Sequence, residues 1–389
     1  TQEDARLLGN RLLFKARRPN DPTPGSYRLW VSDGTPEGTF CLLPDPPVPE
    51  EKDHGEPHFL TVVGDKAYFS GSNVRLWVTD GTVEGTNGIP GPTAPKEFCE
   101  WRGRVYFQAG DENNGTELWC TDGTGEGTHL VKDINPGPAS SGPFFLRALS
   151  DCVLFNADDG THGYELWRTD GTSKGTRLVK DVYEGPVSSD LYQPTVYNNM
   201  LLFAANHPRY GKELWRSDGT AQGTTLVREI RPGNENSEPY YLTEFQGYVY
   251  FSANDGVHGE ELWRTDGTES GTTLVADIKR ERHLTRSANP ALLCAMGDAV
   301  YFVADDIRHG AELWRTDLVT NDTTLVRDIN SGAAHADPLQ LTANDDTLFF
   351  TATDGANGRM LWHSDGTESG TQPVKSWPGN SPIASFHQL

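Results

Sequence analysis

Glu261-Leu262-Trp263-Arg264-Thr265-Asp266-Gly267-Thr268 decides how this chain folds, because it is one copy of a repeated phrase. The same eight-residue pattern stands at 117–124, 165–172 and 213–220, with changes only in the two positions after Trp. Its Leu-Trp pair recurs more widely still, with Trp at 30, 77, 119, 167, 215, 263, 314 and 362. The intervals are 47, 42, 48, 48, 48, 51 and 48 residues. Four strands of about six residues with their turns fill that period, which is one propeller blade. The sequence therefore predicts an all-β, closed eight-bladed β-propeller of four-stranded antiparallel blades, forming one domain over 1–389.

The sixth repeat shows the parse. Residues 240–245 alternate as an innermost strand, and Gln246-Gly247 closes a two-residue hairpin. Residues 248–253 are the second strand, 261–265 the third and 272–278 the outer one, with glycine-bearing turns between. No stretch keeps a helical period. In a sheet packed on both faces, Leu262 and Trp263 point opposite ways and both can be buried. The Asp-Gly-Thr that follows is turn chemistry: Asp accepts from amides two residues on, and Gly takes positive φ. The seventh repeat has Asp317-Leu318-Val319 instead, so its hairpin must close differently. The start, around Arg6 to Phe14, enters a blade at its first or second strand. Residues 382–389 resemble another innermost strand and could pair with the first blade to close the ring, removing open sheet edges.

Composition narrows the function classes. The formal net charge of −22 argues against nucleic acid and against anionic lipid surfaces. The most apolar stretch, near 290–296, is too short to cross a membrane. The start at Thr1 without Met is compatible with a removed leader. The five cysteines lack metal-cluster spacing, and Cys99 and Cys120 fall on the first and third strands of one blade, too far apart for a disulfide. They read as small buried hydrophobes.

These repeats resemble the bacterial ELWxxDGT-repeat proteins, the hyalin-like surface proteins. The fit is close at 117–124, 165–172, 213–220 and 261–268, and weaker where Arg28, Arg75 and Met360 replace the Glu. The resemblance implies a secreted or cell-surface propeller and implies no reaction.

Candidate functional residues fall on the loops of one face. Asp133, Asp181, Asp277 and Asp328 begin the inter-blade crossover loops, and oxygen-rich, glycine-bearing loops suit calcium rather than zinc. His162, His258 and His309 recur in the opposing loops, where capping explains them. Irregular residues are the stronger clue. Most crossover loops read Asp-Ile-x-Pro-Gly or close to it, whereas 279–286 puts Arg280, Arg282, His283 and Arg286 behind Lys279, a basic cluster able to grip a carboxylate or sulfate. His54 and His58 precede the second blade. His207, Arg209 and Tyr210 replace the usual Asp-Gly-x-His, and Tyr183 and Tyr192 offer rings for sugar stacking. No nucleophile elbow, zinc-protease or phosphate-loop motif is present. The expected function is a monomeric, secreted or cell-surface binding or adhesion propeller for a glycan, another polar or anionic small ligand, or a cell-surface partner. The alternative is an enzyme acting on a carbohydrate or other polar substrate through one asymmetric axial pocket.

Overall fold

In the computed structural model, which describes residues 5–17, 27–42, 55–71, 75–279 and 287–374, the sixth repeat folds as four strands: Tyr240–Phe245, Tyr248–Asn254, Glu260–Thr265 and Thr273–Ala276. They pair antiparallel in chain order. Trp263 stands opposite Phe251 on the second strand, and the same Phe–Trp pairing recurs at Phe155–Trp167, Phe203–Trp215 and Phe350–Trp362. The fold is an all-β propeller of four-stranded antiparallel blades.

Alternation along the third strand sends its two large apolar side chains into different layers, as period-2 geometry requires. Leu262 packs in a cluster with Phe302 and Trp314 of the following blade. Trp263 packs with Leu214 and Val227 of the preceding one. Both are buried. One dipeptide thus cements a blade to both neighbours, and truncating such a Trp to Ala would cost about 3–5 kcal/mol.

The blades fall into two compact units, Thr1–Ser189 and Asp190–Leu389. The second holds four separate four-stranded sheets. The first holds a four-stranded sheet at each end and a single seven-stranded sheet between them. The expectation of eight separate blades is corrected here: the described residues form six four-stranded sheets and one of seven strands. The reason is the strand Asn87–Trp101, which is 15 residues long. Its first part pairs with Arg75–Thr79, as an outer strand should, and its second part pairs with Arg104–Asp111, as an innermost strand should. The Trp77 to Trp119 interval is the shortest in the chain, about six residues below the period. Those missing residues are the crossover loop, so the chain runs straight from one blade position into the next. The C-terminal stretch 382–389, expected to close the ring, lies outside the described residues.

The hairpins follow the sequence reading closely, whereas of the five cysteines expected to be buried only Cys120 and Cys152 are, Cys41, Cys99 and Cys294 being half-buried. Cys99 and Cys120 both stand opposite Tyr106, on its two sides, so a whole strand separates them. None of the five cysteines is in a disulfide.

Candidate functional site

The Asp-Gly-Thr turn is a closed hydrogen-bond network. Asp122 Oδ1 accepts from the Thr124 amide at 2.9 Å and from its hydroxyl at 2.7 Å. Thr124 Oγ1 in turn accepts from the Gly127 amide, and Thr128 Oγ1 donates to the Thr124 carbonyl. Thr121 and Thr128 hydroxyls meet at 2.6 Å across the base of the turn. The hydroxyl bond from Thr124 holds the Asp122 carboxyl below its ordinary range. A Cβ on Gly127 would overlap the Asp122 carboxylate, which is why glycine stands there. The same bonds recur around Asp80, Asp170 and Asp266. In the seventh repeat, Asp317 Oδ1 accepts instead from the Val319 and Thr320 amides, and the Leu318 amide donates to the Asp298 carbonyl.

The Glu of the repeat phrase has a role that the sequence reading missed. Glu117, Glu165, Glu213, Glu261 and Glu312 are fully buried. Each lies on a third strand and straps down the crossover loop leaving its own blade. Glu117 accepts from the amides of Ile134 (2.9 Å), Asn135 (3.3 Å) and Ser141 (2.9 Å) and from the Ser141 hydroxyl (2.6 Å). Glu165 takes the amides of Val182, Tyr183 and Ser189. Glu213 takes those of Ile230 and Arg231 and the Ser237 hydroxyl. Glu261 and Glu312 repeat the first two bonds with Ile278 and Lys279, and with Ile329 and Asn330. Two effects oppose each other at these carboxyls. Burial favours the neutral acid, and the surrounding N–H and O–H donors favour the anion. Burial prevails, pushing Glu165, Glu213, Glu261 and Glu312 up to about 7. A signal for this role was present: Arg28 and Arg75 replace Glu in two repeats, neither of which is followed by an Asp-Ile-x-Pro-Gly crossover.

The aspartates expected to hold calcium cap their own loops. Asp133, Asp181 and Asp328 each accept through Oδ2 from the glycine amide four residues on, at 3.1, 3.0 and 3.0 Å. The Oδ1 of each is buried without a protein hydrogen-bond donor. Asp277 lines a cavity of about 400 Å³ with Trp314 and Asn321. Calcium needs about six to eight oxygens. Among the described residues no three or more His, Cys, Asp or Glu side chains gather as a metal group. The recurring histidines clamp their loops: His162, His258 and His309 bond Asp159, Asp255 and Asp306 through Nδ1 at 2.9, 2.7 and 2.8 Å.

Of the irregular residues, Arg280, Arg282, His283, Arg286 and His54 lie outside the described residues. Lys279, first of the basic run, is buried and structural. Its Nζ donates to the Ser287 carbonyl and pairs with Asp305 at 3.2 Å. Asn135, Arg231 and Asn330 make the equivalent loop-closing bond in their own repeats. His58 begins the strand His58–Val63 opposite Ser70. His207, Arg209 and Tyr210 do come together. The His207 and Tyr210 rings stack at 4.7 Å, the Arg209 guanidinium lies 5.2 Å over Tyr210, and His207 reaches Trp215 at 5.6 Å. Tyr183 is held by its amide on Glu165, whereas the Tyr192 ring is exposed.

Comparison with protein-family models and with curated proteins gives no match. Solved structures with a similar course of the chain include the computationally designed Ika8 protein, 16% identical, with 92% of this chain and 95% of that one covered and a TM-score of 0.46. A puromycin hydrolase is 18% identical over 93% of this chain, with a TM-score of 0.43, and a prolyl endopeptidase is 11% identical over 93%, with a TM-score of 0.44. The chain spans 58% and 54% of the length of those two peptidases. The reading of function rests on the site geometry.

Proposed function

We propose that this chain is a secreted or cell-surface binding propeller whose crossover loops bind glycans. One observation carries the reading. The same buried Glu straps five crossover loops through the same two amides, while the residue beside each strap varies between Asn135 or Asn330, Tyr183, Arg231 and the buried Lys279. A fixed frame with a variable display is the arrangement of a recognition surface, in which rigid loops lower the entropy cost of binding. The repeated carboxylates that could have served as acid and base are engaged in holding backbone. Resemblance to the ELWxxDGT-repeat surface proteins supports the location.

The test is a glycan array probed with the purified chain, once with calcium and once with chelator. The chelator arm is included because Asp133, Asp181 and Asp328 each keep a buried carboxylate oxygen without a protein donor. Retention of a defined glycan set supports the reading. No retention in either condition overturns it.

A further inference from the structure

Within the unit Asp190–Leu389, the crossover loop after the fifth repeat and the loop Asn254–Glu260 of the sixth line an open cavity of about 350 Å³. That is the lower end of the range for small-molecule sites, about 300–1,000 Å³. Its walls are polar. They carry Arg231, Asn234, Asn236, Glu238, Asn254 and Glu260. Among the described residues this combination occurs once: the residues equivalent to Asn254 and Glu260 are Gly110 and Thr116, Asp158 and Tyr164, or Asp305 and Ala311 in other repeats.

One wall is rigid. Glu238 accepts from the Tyr240 hydroxyl at 2.8 Å, from Lys212 Nζ at 3.1 Å and from Asn236 Nδ2 at 3.0 Å. Burial works against its charge, but those donors outweigh burial and hold its carboxyl below the ordinary value. The other wall keeps unused hydrogen-bonding capacity. Glu260 Oε1 accepts from the Ser252 hydroxyl at 2.8 Å, which leaves Oε2 as an acceptor. Asn254 Oδ1 caps the Gly256 amide, which leaves its Nδ2 as a donor. A donor and an acceptor side by side match neighbouring hydroxyls of a polyol, each of which both donates and accepts.

An aromatic cluster joins the cavity through Tyr240, whose hydroxyl bonds the lining Glu238. Tyr192 and Tyr240 meet edge to face at 5.7 Å, and Tyr241 follows at 6.4 Å. Tyr192 and Tyr241 are exposed. Tyr241 sits at φ +60° in a bulge of its innermost strand, a conformation a bulky residue adopts only under constraint. The same bulge recurs at Phe59, Phe145 and Leu292, and here the Tyr241 amide also donates to Gln193 Oε1 of the preceding blade at 2.7 Å. The bulge breaks the strand's register, and the ring stays exposed. Carboxylates outnumber cations around the cavity, which disfavours an anionic ligand.

From these features we infer that the cavity between Arg231 and Glu260 binds a neutral sugar ring, with its hydroxyls on Asn254 and Glu260 and its apolar face on the Tyr241 and Tyr192 rings. This rests on the glycan-binding reading above. The test is saturation-transfer NMR and calorimetry on the whole chain with the methyl glycosides of glucose, galactose, mannose and N-acetylglucosamine. Glu260→Gln and Tyr241→Asn are compared with Gln340→Asn, a bulge position of the last repeat; asparagine tolerates the left-handed backbone. Each of the first two is expected to weaken binding of at least one glycoside 10-fold or more, and Gln340→Asn to leave it unchanged. If either pocket variant fails to fold, Asn234→Ala, at an exposed position, takes its place with the same expectation. Wild-type binding that survives both pocket variants overturns the site and leaves the glycan reading standing. Retention of only acidic glycans on the array, with no binding of these glycosides, does the same. Retention of no glycan at all overturns both.

Discussion

Replacing Glu213 by Ala tests whether the buried carboxylates hold the crossover loops. The side chain accepts from the Ile230 amide at 3.1 Å, the Arg231 amide at 2.8 Å and the Ser237 hydroxyl at 2.6 Å. Truncation strands these donors unequally. The Ser237 hydroxyl has a second acceptor, the Lys212 carbonyl at 3.1 Å, and can turn to it. Arg231 is half-buried, so its amide gains water as the loop loosens. Ile230 is 4% exposed and its amide has no such escape. A buried donor left unmade costs about 1–3 kcal/mol, and the partly relieved Arg231 amide adds a fraction of that. The expected loss is about 2–4 kcal/mol, measured by urea unfolding at pH 5, near the stability maximum, where burial penalises the carboxyl little. Hydrogen exchange gives the local reading: the Ile230 and Arg231 amides should lose protection before those of the strand Gly211–Ser217. Glu213→Gln keeps one carbonyl acceptor and should lose less. A variant within 0.5 kcal/mol of wild type (roughly the scatter of neutral surface changes), with the Ile230 amide still protected, would refute the reasoning.

Stability should peak near pH 5. Glu165, Glu213, Glu261 and Glu312 bind protons in the fold up to about 7 but release them near 4.5 when unfolded, so their contribution is full below that value and declines as pH rises through neutrality. Each shift corresponds to about 2–3 kcal/mol between pH 5 and 8, and a melting temperature that rises steadily to pH 8 would contradict it. Asp80, Asp122, Asp170 and Asp266 set the acid side: their lowered values mean stability lost as pH falls below about 3.8. Gly127→Ala should destabilise by about 1–3 kcal/mol, because its Cβ displaces the Asp122 carboxylate from Thr124, and Asp122→Ala in the same chain should recover part of that loss in a double-mutant cycle. Cys99, pushed up to about 11 by burial, should react with iodoacetamide far more slowly in the folded chain than in urea.

The elements legible in the sequence are those that local chemistry determines. Asp-Gly-Thr with a glycine three residues further on specifies its turn through bonds within seven residues, and the structure makes those bonds. Leu-Trp on a strand buried on both faces has one arrangement, which Leu262 and Trp263 adopt. What escaped the reading depends on partners distant in sequence. Glu117 is an unremarkable charged residue until the amides 17, 18 and 24 positions later are folded onto it. The pocket at Arg231 needs two loops from successive repeats, and Tyr241 owes its exposure to a bulge that no alternation pattern announces. The count of separate sheets failed for a related reason. A 42-residue interval signals a shortened repeat, but only strand pairing reveals that the deleted part is the crossover.

The uninterrupted strand Asn87–Trp101 has a mechanical consequence. After the third to seventh repeats a strapped loop separates one sheet from the next, and pulling the chain can strip a blade while its neighbour keeps its own ladder. Here the two sheets share one backbone ribbon, so tension on either is carried through the other. Stretched from its ends in an optical trap, the chain should release the segment from His58 to Lys132 in one rupture, roughly twice the extension of a single four-stranded blade at about 3.3–3.6 Å per residue. Restoring a crossover after Gly91, with its own glutamate at position 75, should split that event in two.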